Sequence, residues 1–297
     1  MKSRAIVVAF HKYTPFGSEF YEPILSFFLQ QMEKYKDEYD HLYILDSTWN
    51  IPDKPLPDTF FRKAFDGKIT LIKVDPNLRY YEAYQQVLPE IKEDLILFLD
   101  NDSVIYQEGV IKSIFNKLSE FDVVSIIDQI GFYPVKELKN GNKFCPYLFA
   151  ASKDLLMKYK DIYWGSDMPE HETLGFLTKR MLEDDVLVYE FPEDKSNCLF
   201  DGTQEGEKSK RTGFYHIRAG STPAYLLATK KYGERLTYDD YLKNQPRSEY
   251  LRQAAWYWYM SDEAKVNLVP LLDDCEITQA QWIVDYMPRF KKYHGLV

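Results

Sequence analysis

The 297 residues contain only three cysteines, Cys145, Cys198 and Cys275. They lie far apart without Cys-x-x-Cys spacing, so neither a disulfide framework nor a thiolate zinc site is written into the chain. Sparse, odd thiols fit a reducing compartment, where they act as small apolar fillers. Long hydrophobic runs are missing too. The opening MKSRAIVVAF holds a short apolar run that breaks at His11-Lys12, which reads as a first strand rather than a secretory core. No stretch approaches the roughly 20 apolar residues of a spanning helix. A soluble, cytoplasmic protein is expected. Positive charge is also in short supply, with 37 Lys and Arg against 46 Asp and Glu and a formal charge of −9. That balance argues against a general binder of nucleic-acid backbones. An anionic substrate would then call for a metal ion or a few placed Arg and Lys residues. Neither an internal repeat nor a low-complexity tract is present.

Aromatic residues, by contrast, are plentiful, with 24 Tyr and 19 Phe among them. The chain is long enough for one large α/β domain with an appendage. RAIVVAF (4–10), HLYILDS (41–47), KITLIKVD (68–75) and DLILFLDND (94–102) are apolar runs that end in polar residues. Helical spacing appears between them at 19–35 and 77–91, and again at 110–118 and 171–185. Strands that are apolar throughout, alternating with helices, predict a mostly parallel sheet with helices on both faces. FDVVSII (121–127) and VLVYEFP (186–192) read as further strands, and 131–152 as a hairpin or irregular insert. Residues 201–213 are polar and contain glycine, as a loop does. From Pro223 the chain turns helical, with a capping box and hydrophobic staple at 277–282. The expected division is an α/β domain at 1–222 and a helical extension at 223–297.

The densest chemistry follows the fourth strand, at Asp100-Asn101-Asp102. In open parallel sheets, ligands bind beyond the carboxyl ends of the strands. Residues i and i+2 of an extended segment point the same way, so both carboxylates face one small volume. Two such charges repel unless a cation neutralises them, and hard ions such as Mg²⁺ or Mn²⁺ take oxygen ligands of this kind. Held there, the ion would in turn hold phosphates. Asp and Asn are also ordinary turn formers, so a solvated turn fits the tripeptide equally. LFLDNDSVI further matches the nucleophile motif of haloacid-dehalogenase-type phosphatases, with Asp100 as nucleophile, although that motif normally ends the first strand of its domain and three strands precede it here.

Taken in order, several segments give the chain a resemblance to GT-A-fold glycosyltransferases of the large inverting group. AIVVAFHKYTP resembles their first strand and nucleotide-contacting loop, which brings in His11. LYILDST places Asp46 where that fold has a carboxylate near the uridine, with Ser47 beside it as a further donor contact. DPNLRYYEAYQQVL offers Arg79 as a diphosphate or base contact, and ILFLDNDS resembles the DxD motif. PEHETLGFL places Glu172 where these enzymes carry the general base, and FYHIRAGST offers His216 as the histidine that completes the metal site. The resemblance covers 4–222. It implies a metal-dependent transfer of a sugar from a nucleotide-diphosphate donor, UDP-sugar being the expected class, to a hydroxyl acceptor with inversion. Asp100, Asp102 and His216 would hold Mn²⁺ or Mg²⁺, while Asn101 and Arg218 join the donor contacts. The acceptor could be a glycan, a lipid-linked saccharide, a protein or a modified base. Two departures stand out: the first loop reads FHKYTPFG rather than Pro-Thr-Tyr-Asn, and the acceptor segment His-Glu-Thr rather than Glu-Asp.

Each of these residues also has a plainer reading. His216 beside aromatics suits a hydrogen-bonded structural histidine, and Arg218 could face a surface acid. Glu172 stands in the first turn of a helix, where acids offset the dipole; Asp167 and Glu170 are reserve bases. YLRQAAWYWYM (250–260) fits an interfacial membrane anchor or, through Leu251, Ala254, Ala255 and Trp258 on one helical face, core or homo-oligomer packing. A GT-A-like module that binds nucleotide or glycan without turnover is the non-enzymatic alternative.

Overall fold

The computed structural model describes residues 2–10, 27–46, 67–75, 78, 80–105, 107–128, 143–165, 174–192 and 212–216. The chain divides into two compact units. The first comprises Met1–His11, Tyr35–Asp100 and Glu108–Glu193; the second comprises Lys12–Lys34, Asn101–Gln107 and Asp194–Val297. The expected boundary at 222 lies outside the described residues, as do the capping box at 278–281, the aromatic segment at 250–260 and loop residues 201–211.

The first unit is built on a seven-stranded sheet. Its strands are β1 (Arg4–Phe10), β2 (His41–Asp46), β3 (Ile69–Lys73), β4 (Leu95–Asp100), β6 (Val123–Asp128), β7 (Lys143–Ser152) and β8 (Val188–Glu190). They lie in the order β3-β2-β1-β4-β7-β6-β8. β1 runs parallel to both β2 and β4, β2 to β3, and β6 to β8; β7 alone runs antiparallel, between β4 and β6. The expected α/β architecture with a mostly parallel sheet is therefore observed.

The apolar runs explain the layering. Ala5 and Val7 of β1, Tyr43 and Leu45 of β2, Ile96 and Phe98 of β4, and Phe149 and Ala151 of β7 share one core. They share it with Tyr81, Tyr84 and Val87 of helix α2 (Tyr80–Val87), Leu156 of α4 (Lys153–Lys158), and Leu177 and Met181 of α5 (Gly175–Glu183). The intervening Ile6, Val8, Leu42, Ile44, Leu97, Leu99 and Leu148 are fully buried as well. Alternation puts these on the other face, so the middle strands are covered on both sides. Each such side chain contributes about 1.5–3 kcal/mol of burial.

Two local features shape this frame. Helix α3 (Val110–Lys117) starts after Gly109, whose φ of 88° places it in the left-handed region that a side chain resists. Lacking a side-chain cap of its own, the helix borrows one: Glu38 accepts from the Gly109 and Lys112 N–H groups at 2.6 and 3.0 Å. α2 was expected over 77–91; it gives way to a 3-10 turn at Leu88–Glu90 because Pro89 cannot continue it.

For 131–152 the expectation was a hairpin or an irregular insert, and residues 131–142 lie outside the described residues. The rest is the ten-residue, buried strand β7, which sides with the strand of a hairpin rather than an irregular insert and pairs antiparallel with β6. Pro146 has no N–H for a ladder, yet the geometry spares it one. β4 pairs with β7 only over Leu148–Ser152, and between Ser125↔Phe149 and Ile127↔Phe144 the β6–β7 register shifts. Pro146 sits in that bulge, where the missing donor costs no ladder bond. Ser125 mends the gap. Its hydroxyl lies 2.9 Å from the Ile126 carbonyl and 3.0 Å from that of Leu148, and it accepts from the Cys145 N–H at 3.3 Å.

In the second unit the described elements are α1 (residues 27–34), β5 (Ser103–Ile105) and β9 (Phe214–His216). The two strands form an antiparallel ribbon with Ser103 opposite His216, Val104 opposite Tyr215 and Ile105 opposite Phe214. α1 buries Phe27, Phe28, Leu29, Gln31 and Met32.

Candidate metal centre

β4 delivers the first carboxylate. The strand is apolar up to Leu99 and ends at Asp100, whose register partner on β1 is Ala9. The chain then turns through Asn101 and Asp102 and enters β5 at Ser103. Only Asn101 separates the acids, so their spacing is set by one short turn. The ribbon supplies the third group. Because Ser103 pairs with His216, the residue just before Ser103 lies diagonally beside that imidazole. His216 Nε2 stands 2.8 Å from Asp102 Oδ1, and both side chains are buried, at 7% exposure each.

Asp100, Asp102 and His216 each offer a ligand atom within 4.8 Å of the other two. Asp100 is the half-buried member. Two carboxylate oxygens and one imidazole nitrogen make a donor set that fits a divalent cation. A cation would also relieve the repulsion that two neighbouring carboxylates otherwise impose on each other. The nitrogen turned toward Asp102 is Nε2. The donor set is thus present, already convergent, and formed by the residues that the DxD-like segment and the late histidine singled out.

Of the remaining expected residues, Asp46 and Asn101 are described. Asp46 closes β2 and is buried, and its register partner is Phe10 on β1. It therefore shares the carboxyl edge of the sheet with Asp100, with β1 between them. Strand alternation aims Asp46 to the side of Leu42 and Ile44, and Asp100 to that of Ile96 and Phe98. Asn101 is the half-buried residue between the two acids. His11, Ser47, Arg79, Asp167, Glu170, Glu172 and Arg218 lie outside the described residues.

One residue escaped the sequence reading. Gln31 in α1 holds the backbone of β5 through both ends of its amide, accepting from Ile105 N at 2.7 Å and donating to Ser103 O at 3.3 Å. A signal was there: Gln31 shares the buried face of α1 with Phe27, Phe28 and Met32, and a polar side chain on an apolar helix face must find partners.

No family model matches this sequence, and no curated protein matches it. Solved structures resemble its fold at a distance. A protein assigned as a nucleotide-diphospho-sugar transferase from Desulfovibrio desulfuricans G20 shares 13% identity at a TM-score of 0.43, over 76% of this chain and 98% of that one. The 4-diphosphocytidyl-2C-methyl-D-erythritol synthase of Anaerococcus prevotii DSM 20548 shares 14% at 0.41, over 63% and 85%. The bifunctional IspDF of Campylobacter jejuni shares 13% at 0.42 over 70% of this chain, which spans only 54% of that protein. These are likenesses of fold.

Proposed function

We propose that this chain is a metal-dependent glycosyltransferase that moves a sugar from a nucleotide-diphosphate donor, UDP-sugar being the expected class, to a hydroxyl acceptor. The observation that carries the reading is the convergence of Asp100, Asp102 and His216 just past the carboxyl end of a central strand. These three side chains hold the cation; of the two ions expected, the imidazole nitrogen favours Mn²⁺ over oxygen-seeking Mg²⁺. A bound divalent ion supplies positive charge against the diphosphate leaving group. Asp46, buried at the same sheet edge, is proposed as a nucleotide contact. Glu172 is proposed as the base: it takes the acceptor's hydroxyl proton while that oxygen bonds to the anomeric carbon and the carbon–diphosphate bond breaks, in one inverting displacement.

Calorimetric titration with UDP, GDP, ADP and dTDP, each with Mn²⁺ and then with excess chelator, tests this. One diphosphate is expected to bind, and the chelator to abolish that binding. Failure of all four to bind would remove the reading. A hydroxylamine-sensitive phosphate on Asp100 would replace it with phosphatase chemistry.

A further inference from the structure

Strand β5 is three residues long, and among the described residues its strand partner is β9 alone. A two-stranded ribbon that short does not hold itself together in water. Gln31 supplies what the ribbon lacks. Its side chain is 8% exposed. Its Oε1 accepts from the Ile105 N–H at 2.7 Å, and its Nε2 donates to the Ser103 carbonyl at 3.3 Å and reaches the Phe27 carbonyl one helical turn back at 3.5 Å. A carbonyl and the N–H two residues further along leave a strand by the same edge. A primary amide presents an acceptor and donors side by side, as a peptide group does. Gln31 therefore docks on β5 as one residue of another strand would.

What it clamps is the backbone beside the metal ligands. Asp102 immediately precedes Ser103, and Ser103 is the register partner of His216. We infer that Gln31 is a positioning residue for the metal centre, fixing β5 in the register that keeps Asp102 Oδ1 beside His216 Nε2. The purpose assigned to the clamp rests on the metal reading above; its geometry rests on the hydrogen bonds alone. Glutamate at this position keeps the acceptor for Ile105 but sets an oxygen against the Ser103 carbonyl. Methionine keeps the length and offers neither bond.

The test measures Mn²⁺ affinity of the full chain by electron paramagnetic resonance, beside its melting temperature. The variants are Gln31→Glu, Gln31→Met, His216→Gln and, as a control for destabilisation alone, Ile111→Val in the buried face of α3. Replacing a residue that orients a metal ligand typically weakens the metal about 10- to 100-fold. That loss, with an altered bound-Mn²⁺ spectrum, is expected for both Gln31 variants, whereas Ile111→Val lowers the melting temperature and leaves affinity and spectrum unchanged. Gln31 variants that melt lower yet bind Mn²⁺ with wild-type affinity and spectrum overturn the inference and leave the metal reading standing. His216→Gln with undiminished Mn²⁺ affinity overturns both. If neither Gln31 variant folds, the wild-type chain decides. Coupling is reciprocal, so saturating Mn²⁺ must slow hydrogen exchange at the Ile105 amide, and an unchanged rate overturns the inference.

Discussion

Asp94 stands just before strand β4 and Asp100 closes it, yet the two ends of the strand treat their carboxylates in opposite ways. Asp94 is exposed and answered locally: Ser3 donates to its Oδ2 from the backbone N–H at 2.8 Å and from the hydroxyl at 3.0 Å. Those bonds, the backbone one first, hold its pKa below the ordinary carboxylate value. At the other end no such local tie is needed to explain the acids. Asp100 is followed by a second acid, Asp102, which is buried against an imidazole brought in by a different strand. The first arrangement ties a sheet corner together. The second concentrates negative charge and a nitrogen donor in one place, which is what a cation requires and what a stability bond does not.

The largest effect that separates the two ends is expected from Asp102→Asn and His216→Gln. Removing a ligand outright should weaken Mn²⁺ binding by more than about 100-fold, above the range seen for residues that merely orient ligands. Calorimetry with Mn²⁺ decides, and wild-type affinity in either variant would erase the distinction. Ser125→Ala is the next step down. It strips the buried Cys145 N–H of its acceptor and should cost about 1–3 kcal/mol of stability, measured by urea unfolding, with Mn²⁺ affinity unchanged. If the metal were lost as well, general sheet integrity rather than the ligand set would govern binding.

Asp94→Asn should have the smallest effect and sharpen the contrast through its pH dependence. Because the folded-state pKa of Asp94 is lowered, the ionised form favours the fold. That contribution is fully present above the ordinary carboxylate pKa and is lost as pH falls through the lowered value. The melting-temperature gap between wild type and variant should therefore be present at neutral pH and close on acidification, with no change in Mn²⁺ binding at any pH where the ion is bound. A gap that persisted at acid pH would mean that Asp94 does not act through its charge.

The same contrast explains which parts of the molecule could be read in advance. β1, β2 and β4 were legible because they are buried on both faces and so cannot tolerate polar residues along their length. β7 was left open between a hairpin strand and an irregular insert, because Pro146 and the Gly and Asn residues upstream of it carry the composition of a turn. What permits a proline there is a register shift against β6 and the early end of β4, neither of which is a property of residues 143–152 themselves. At the candidate metal centre, Asp100 and Asp102 were legible from their position at the end of an apolar strand; the common direction expected of an extended segment is replaced by a turn through Asn101 and Asp102. His216 entered through the family resemblance; its pairing opposite Ser103 depends on a ladder between segments far apart in sequence. Gln31 carries no motif at all. Only the burial of its helix face shows that its amide needs partners.

The placement of β1 also has a consequence for how the chain is made. β1 is synthesised before β2 and β4, yet it lies between them, and the corner that locks its start joins Ser3 to Asp94 across 91 residues. Until the ribosome has released β4, the nascent chain carries a six-residue apolar stretch with one hydrogen-bonding edge open, the kind of edge that recruits unwanted partners. Arrest at any codon before Leu95 should leave that edge bare. Release of Asp100 closes it and completes the strand end that carries the first of the proposed metal ligands.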